Sequence, residues 1–393
     1  MKIAETQFYK TLGKRSIYDH LQKSLLPLDE SDKPRDKKAF LRELYDDIRS
    51  GRYFPSLPRG YIVQDKHNGV ARIIPVFAYR DSCVFYFCIR QLENSIAGNR
   101  VPGTYGGWRL GNVIRAQEDA EREQFPDMEE YQPEVAVPFD PYAIPGSFDP
   151  KKWMVHYKDF QRQAYKWSRK QELRYFVEFD IANFYDTINL DILERKIRAT
   201  IPREKNEIAD LLFVFLRNWN RHFEGYGGKS VGIPQDDIGD CSRMLANFYL
   251  REYDEFMRAT FQNTTRCGRY LRYADDQIIM AEVPDDARRI LFQSSTELHK
   301  LGRSINSGKA HQFSSRDDFA HYWAFDLFDL LADPDNSRSV NKAAEKFVAQ
   351  AKISDESGSA PPWRSPSVLK RLITVGLDKI EPLIGRIFCD VSR

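Results

Sequence analysis

The chain has 393 residues, enough to bury a large core and to form two or three subdomains. No stretch approaches the ~18 uncharged apolar residues of a membrane helix, and the first residues lack the apolar centre of a signal peptide, so we expect no membrane partner and a cytoplasmic location. Five cysteines without metal-ligand spacing fit a reducing compartment, and a net charge of only +2 argues at first against a nucleic-acid partner.

The N-terminal 60 residues are predicted to be mostly helical. Within Lys38–Gly51, the side chains of Phe40, Leu44 and Ile48 recur at a spacing that gives one apolar helix face. Residues 61–77 then predict two paired strands around a turn at Lys66–Gly69.

The composition of Ser82–Ile96 allows either a buried helix or a strand, because it is apolar and rich in aromatic residues. Residues 117–150 are rich in proline and acidic side chains, and we predict an irregular insertion there. With this insertion set aside, the rest of the chain is basic, as expected for a protein that binds a phosphate backbone.

A helix is predicted over residues 151–171, with aromatic and basic side chains together. These side chains either pack into the core or contact RNA by stacking and charge. They are Trp153, Tyr157, Arg162, Tyr165, Lys166, Trp167, Arg169 and Lys170.

Three carboxylates follow predicted strands. Asp180 lies at the end of the strand-like run Arg174–Ile181, and a helix is predicted over 191–199. Asp275 and Asp276 occupy a tight turn between two apolar strands, Gly268–Tyr273 and Gln277–Ala281. Two adjacent carboxylates repel, and their burial without a counter-charge costs several kcal/mol each, so they are either well solvated or bind a divalent cation. Together with Asp180, the pattern favours two Mg²⁺ ions, with Mn²⁺ as an alternative.

Six blocks of the chain resemble, in the same order, the sequence motifs of reverse transcriptases. The Asp180 segment resembles motif A, and Tyr273–Asp276 resembles motif C. The other blocks resemble the fingers motif, the loop that follows its helix, motif B and motif D: Ala71–Pro75 with Arg80-Asp81, Tyr105–Gly111, Gly232–Asn247 and Leu301–Lys309. The resemblance covers roughly residues 40–315. In its Ser-Arg-x-Leu-Ala sequence, the motif B helix is most similar to bacterial defence-associated reverse transcriptases of the abortive-infection type.

The chain departs from the family at two places. Asp236-Asp237 follow Gln235, where family members usually have glycine. The motif E turn is not distinct, and Ala324–Phe328 is its best candidate.

The resemblance implies an α+β fold of the right-hand polymerase type, with fingers, an antiparallel palm sheet flanked by helices, and a helical thumb. It divides the chain into four parts. They are fingers with an N-terminal helical region (1–116), the acidic insertion with the basic aromatic helix (117–171), the palm (172–330) and the thumb (331–393). Under the same resemblance, the Ser82–Ile96 segment is expected to be a helix.

The resemblance also implies roles for single residues at the metal site. Asp180 and Asp275 would bind both metal ions, with help from the carbonyl of Ile181, and Asp276 would support the site. Lys309 would donate a proton to the leaving pyrophosphate as a general acid, although a solvent-facing lysine is the alternative.

Further residues would bind the nucleotide. Arg72 and Lys66 would contact its triphosphate, unless they are ordinary surface bases. Tyr185 would exclude a 2′-hydroxyl and so favour deoxynucleotides, with a packed core tyrosine as the alternative. Gln235 would line the template and nucleotide pocket.

The leading functional hypothesis is an RNA-directed DNA polymerase that copies a dedicated non-coding RNA in antiphage defence. Its partners would be the RNA template, the DNA product and deoxynucleoside triphosphates, and the sequence leaves the oligomeric state open. The alternatives are a template-independent DNA polymerase of the abortive-infection type and a group II intron-like or retron-like reverse transcriptase. A non-enzymatic RNA-binding scaffold is disfavoured, because a scaffold has no need of the crowded carboxylates.

Overall fold

Helices and strands alternate along the chain. A computed structural model describes residues 3–14, 17, 21, 34, 36–66, 70–97, 101–107, 110, 153–220, 232–235, 241–331 and 335–357. The helices are α1 Glu5–Leu12, α2 Lys37–Arg49, α3 Tyr79–Ile96, α4 Trp153–Ser168, α5 Leu190–Thr200, α6 Asn206–Asn218, α7 Cys241–Thr264, α8 Pro284–Lys300, α9 Arg316–Tyr322, α10 Phe325–Leu330 and α11 Ser337–Ser357. The strands are β1 Gly60–Lys66, β2 Val70–Val76, β3 Thr104–Tyr105, β4 Tyr175–Phe179, β5 Arg269–Tyr273, β6 Asp276–Ala281 and β7 His311–Phe313. Within these residues, no helix combines the length and the apolar character that a bilayer crossing requires.

A five-stranded sheet, in the order β3-β5-β6-β4-β7, organises the second half of the chain. β5 and β6 form an antiparallel hairpin, β6 pairs antiparallel with β4, and β4 pairs antiparallel with β7. β3 pairs parallel with β5, so the prediction of a purely antiparallel sheet is wrong at this edge. β3 is far from β5 in sequence, and no hairpin turn fixes its direction.

The sheet is buried on both faces. Side chains that alternate along β6 contribute to two separate hydrophobic clusters, with Ile279 and Ala281 in one and Ile278 and Met280 in the other. Four consecutive residues of β4 are buried as well. This double burial explains why successive apolar residues follow one another in these strands, as in Ile278–Ala281, instead of alternating with polar ones.

The sequence patterns of the first half predict its helices and strands well. The Asp36 side chain begins α2 by accepting hydrogen bonds from the backbone N–H groups of Lys38 (2.9 Å) and Ala39 (3.1 Å). β1 and β2 form the predicted antiparallel pair. The ambiguous segment Ser82–Ile96 lies in the helix α3, which packs against α6 through the stacked rings of Phe85 and Phe215, 4.8 Å apart.

Two predictions concern the C-terminal part of the chain. The turn expected at Ala324–Phe328 is wrong, because Phe325 begins the helix α10 directly after Ala324, which has a left-handed φ of 56°. The predicted thumb contributes the helix α11, and residues 358–393 lie outside the described residues, as does the predicted insertion at 117–150. The division into fingers, palm and thumb stays a prediction.

Candidate active site

The predicted carboxylates lie at one end of the five-stranded sheet. In the antiparallel β4–β6 pair, Phe179 lies opposite Gln277. The next residues outward are Asp180 and Asp276, so the register brings these two backbones side by side. Asp275 is the adjacent residue in the turn that closes the β5–β6 hairpin. Three carboxylates from two distant chain segments therefore lie at the same end of the sheet.

The turn itself has an unusual backbone. Tyr273 pairs with Asp276, which leaves only Ala274 and Asp275 to connect the strands. Ala274 has a φ of 52°, a left-handed conformation that is uncommon for residues other than glycine. Such a conformation costs about 1–3 kcal/mol and persists where the surroundings impose it.

The local electrostatics act most strongly on Asp275. Burial of its carboxyl raises the pKa of Asp275 to about 7, and the negative charge of Asp276 adds to this. Asp180 raises the pKa further, whereas the ammonium of Lys309 opposes the rise. The carboxylates thus repel one another and would gain from a shared cation.

Lys309 contacts the site directly. Its Nζ donates a hydrogen bond to Asp180 Oδ2 at 2.9 Å, which raises the pKa of Lys309 above its ordinary value. The lysine side chain is 66% exposed, so it can leave Asp180 without losing a buried position. The backbone N–H of Asn306 donates to the Asp180 carbonyl at 2.9 Å and so fixes the loop of Lys309 beside β4.

Ile181 follows Asp180 and forms an isolated antiparallel bridge with Ile305. The two hydrogen bonds of this bridge are accepted by the carbonyls of Asp180 and Ser304. The carbonyl of Ile181 is therefore not used by the bridge, which leaves it compatible with the predicted role as a metal ligand.

The residues fit a hard divalent cation. Asp180 Oδ1 is buried and has no hydrogen-bond partner among the residues that the structure describes. In the same part of the chain, no three acidic, histidine or cysteine side chains already converge tightly enough to cage a metal. Mg²⁺ typically takes only one or two carboxylates and completes its shell with water and substrate phosphates, so such a cage is not required.

Tyr185 lies in the turn 183–187 that follows Asp180, and Gly232 packs directly against it. The Tyr185 carbonyl accepts a hydrogen bond from the N–H of Ile233 at 3.1 Å. A Cβ atom on Gly232 would lie 2.1 Å from that carbonyl oxygen, so only glycine fits. Gln235, half-buried, lies two residues after Ile233. The structure therefore brings together the chain segments of two predicted pocket residues, Tyr185 and Gln235.

Arg303 belongs to a later segment of the chain and contacts the same turn. It was not identified from the sequence. Its guanidinium is buried between the rings of Phe184 and Tyr249, at 5.5 and 5.6 Å from their centroids. It donates to the Phe184 carbonyl and to the Thr187 hydroxyl. Burial lowers the pKa of Arg303 to about 10. The available signal was an arginine between the apolar residues Leu301 and Ile305.

Several aromatic residues of α4 contact protein, while the side chain of Trp153 lies outside the described residues. The Tyr157 ring meets the edge of Tyr273, with centroids 5.1 Å apart, and Phe160 is fully buried. Tyr165 packs on Phe325 with centroids 5.2 Å apart. For these rings the core-packing alternative holds, and α4 fixes the strand that leads into the carboxylate turn.

The predicted basic residues of α4 and of the two positions after it divide into two groups. Arg162 pairs with Asp159 at 3.3 Å, and Arg169 pairs with Asp329 at 3.4 Å. Lys166 and Lys170 are exposed. These two lysines are the ones best placed to meet a phosphate backbone.

The two predicted triphosphate-binding bases lie on strands of a different sheet from the one that ends at the carboxylates. Lys66 ends β1 and pairs with Val70, and Arg72 in β2 pairs with Gln64. Their side chains lie outside the described part of the chain, and their strands belong to the separate two-stranded sheet.

Comparison with known proteins identifies one family. A family model described as reverse transcriptase (RNA-dependent DNA polymerase) matches residues 128–344, more than half of the chain. No curated protein matches the chain.

Among solved structures, apo telomerase from Candida tropicalis, truncated from its C-terminal domain, is 15% identical, with 70% of this chain and 55% of that chain covered and a TM-score of 0.35. Telomerase from Candida albicans with a TWJ fragment of telomeric RNA is 10% identical, with 70% and 47% covered and a TM-score of 0.39. The chain spans about half the length of these proteins.

Proposed function

Because the chain belongs to the reverse transcriptase (RNA-dependent DNA polymerase) family, we propose that it synthesises DNA on an RNA template, with Asp180, Asp275 and Asp276 binding two Mg²⁺ ions. The observation that supports this most directly is the β4–β6 register, which sets Asp180 across from Asp276. The buried, unpartnered Oδ1 of Asp180 among the described residues adds to it. In this proposal the five-stranded sheet is the palm of a right-hand polymerase that acts in the cytoplasm.

The reaction is attack of a primer 3′-hydroxyl on the α-phosphate of a deoxynucleoside triphosphate, with pyrophosphate leaving. Bound cations would neutralise the charge that develops on the attacking and leaving oxygens. Asp180 and Asp275 hold the ligand oxygens, the Ile181 carbonyl adds one, and Asp276 supports them from the adjacent position. Lys309 releases Asp180 and donates its proton to the leaving pyrophosphate.

Tyr185 and the residues that pack around it select the nucleotide. The Tyr185 ring fills the space of a 2′-hydroxyl and so selects deoxynucleotides, and Gln235 lines the same pocket. Arg72 and Lys66 contact the triphosphate, because fixed cations offset its charge.

The template is a dedicated non-coding RNA, and the biological setting is antiphage defence. The support for this setting is the Ser242–Ala246 sequence of the α7 helix, which is most similar to the abortive-infection type. Template-independent synthesis is the second candidate, favoured by Asp236-Asp237 after Gln235, which replace the usual glycine.

The test is primer extension by Asp275→Ala and Asp180→Ala proteins with Mg²⁺ and deoxynucleotides. We expect both to lose incorporation while their circular dichroism stays native, because each removes charge stabilisation made in the transition state. Asp285→Ala, an exposed carboxylate at the start of α8, is the matched control and should extend normally. Near-normal extension by a folded Asp275→Ala protein contradicts the metal site.

Sequencing the product separates the two candidates. DNA complementary to the RNA that co-purifies with the protein supports templated synthesis. DNA of unrelated sequence, made equally well after the RNA is removed, supports template-independent synthesis.

A further inference from the structure

A buried guanidinium lies directly behind the carboxylate turn. Arg272, the last residue but one of β5, is fully buried, and so is Asp254 of α7. Its Nε donates to Asp254 Oδ1 at 2.7 Å and its Nη2 donates to Asp254 Oδ2 at 2.6 Å. This two-pronged geometry fixes the plane and the direction of the guanidinium.

The remaining nitrogen of this guanidinium reaches the turn. Arg272 Nη1 donates to the Ala274 carbonyl at 2.8 Å and to Asn247 Oδ1 at 2.9 Å. Ala274 is the left-handed residue immediately before Asp275. The third prong of the guanidinium therefore holds the peptide that orients the carboxylates.

Asn247 extends the network to a second element. Its Nδ2 donates to the Gly107 carbonyl at 2.7 Å, in the loop that follows β3. The backbone N–H of Arg272 donates to the carbonyl of Gly103, just before β3, at 2.9 Å. The cluster of Arg272, Asp254 and Asn247, called here the Arg272 cluster, thus joins α7, β5 and the 101–107 loop at the turn.

Stability alone does not account for this arrangement. A buried ion pair is often replaced by well-packed apolar residues without loss of stability, because desolvation offsets the attraction between its charges. An apolar pair would fill the same space but would leave the Ala274 carbonyl without its hydrogen bond. A lysine would keep the charge but lacks the planar fork that reaches four acceptor atoms on three residues at once.

We propose that Arg272, oriented by Asp254 and Asn247, is a positioning residue that holds the Ala274 peptide so that Asp275 and Asp276 present their carboxylates to cations. The proposal rests on the proposed function, since it assigns the cluster to the metal site of that reaction. It predicts that the cluster sets cation affinity more than it sets stability.

The decisive variant is Arg272→Met with Asp254→Leu, which replaces both charges by apolar groups of similar size. We expect it to fold with a melting temperature near that of the unmodified protein. Mn²⁺ affinity, measured by calorimetry without nucleotide, should fall about 10-fold or more, as for residues that orient metal ligands. The Mg²⁺ concentration for half-maximal extension should rise in parallel.

Two further variants keep the result interpretable. Arg272→Lys keeps a charge beside Asp254, so it should fold even if the double variant does not, and it should show the same weakened Mn²⁺ binding. Tyr253→Phe removes a hydroxyl that bonds Gln277 Oε1 (2.5 Å) and Ser294 Oγ (2.6 Å) in the same buried region but does not contact the turn. It should lower the melting temperature and leave cation binding unchanged.

Unmodified Mn²⁺ affinity in a folded Arg272→Lys or double variant would overturn the proposal and leave the cluster a packing feature. Equal weakening by Tyr253→Phe would overturn it as well, because the effect would then be a general one of the core. If the unmodified protein itself binds no Mn²⁺, the proposed metal site fails first, and that outcome is distinct from a failure of the variants alone.

Discussion

Asp275 takes up a proton more readily in the folded chain than in the unfolded one. Its pKa rises from an ordinary 3.8 to about 7 because of burial and the neighbouring carboxylates. Between these two values the folded state holds a proton that the unfolded state releases, so the free energy of unfolding falls as pH rises. Above pH ~7 both states are ionised and the dependence ends.

We therefore expect the melting temperature, measured with a chelator present, to fall between about pH 4 and 7. Asp275→Asn, which cannot ionise, should show a flatter profile over the same range. Added Mg²⁺ should flatten the profile of the unmodified protein, because the cation takes over the role of the proton. Identical slopes for both proteins in chelator would rule out this assignment.

Gly232 is the second residue with a sharp prediction. Gly232→Ala would push a Cβ against the Tyr185 carbonyl at 2.1 Å and the Asp186 carbonyl carbon at 2.5 Å. Overpacking of this kind costs about 1–3 kcal/mol, and here it displaces the turn that bears the proposed sugar-selecting ring. We expect a lower melting temperature and more ribonucleotide incorporation in competition with the deoxynucleotide.

Two further variants serve as comparisons for Gly232→Ala. Tyr185→Val should raise ribonucleotide incorporation by itself, since it removes the ring directly. Gly60→Ala is the matched control, because a Cβ there meets no atom within 4 Å. An unchanged incorporation ratio in both Gly232→Ala and Tyr185→Val would make Tyr185 an ordinary core residue.

Among the helices and strands, those predicted correctly from the sequence are the ones whose formation depends on residues close together in the chain. The β5–β6 hairpin and α2 follow from their own residues: two short runs rich in aromatic and aliphatic residues around a turn, and an apolar stripe with a capping aspartate. The α3 segment needed the family resemblance, because its composition suits helix and strand equally. β3 escaped prediction, since two residues have no periodicity.

The missed residues share one physical cause. Arg272 and Arg303 interact with groups 25 and 119 residues away in sequence, so nothing in their own segments indicates their partners. Asp275 and Asp276 could be identified because two neighbouring carboxylates, which repel each other, are evident in the sequence itself. A buried hydrogen-bond network becomes visible only after folding brings its members together.

Two exposed lysines at the C-terminal end of α4, one in its last turn and one just beyond it, give a prediction of their own. Lys166→Glu with Lys170→Glu should weaken RNA binding and make it less dependent on salt, since each phosphate contact contributes about 0.7 to 0.9 to the log–log slope. Binding should be measured at several salt concentrations. Arg288→Glu with Lys300→Glu on α8 changes the same number of exposed charges and is the control.

An unchanged salt slope in the α4 variant would place the RNA elsewhere on the molecule. Equal losses in the α4 and α8 variants would show that overall charge, rather than this helix face, governs binding. Only a loss confined to α4 supports a phosphate contact there.

The whole molecule is built around a sheet covered on both faces, and the candidate site occupies the end of that sheet. One hydrophobic cluster joins the N-terminal helices α1 to α3 with α5 to α8, while the other joins β3, α4 and α9. The two clusters meet across β4, β5 and β6, so a disturbance on either face reaches the strands that hold the carboxylates.

The contact between Asn247 and Gly107 joins groups 140 residues apart, and the contact between Lys309 and Asp180 joins groups 129 residues apart. Closing such long loops is slow, because their entropy must be lost before any contact compensates for it. During synthesis on the ribosome, Asp180 therefore acquires its contact with Lys309 only once Lys309 has emerged, whereas the contacts of the carboxylate turn can form as soon as β6 has emerged. In the proposed function, a nascent chain that ends before Lys309 would lack its general acid.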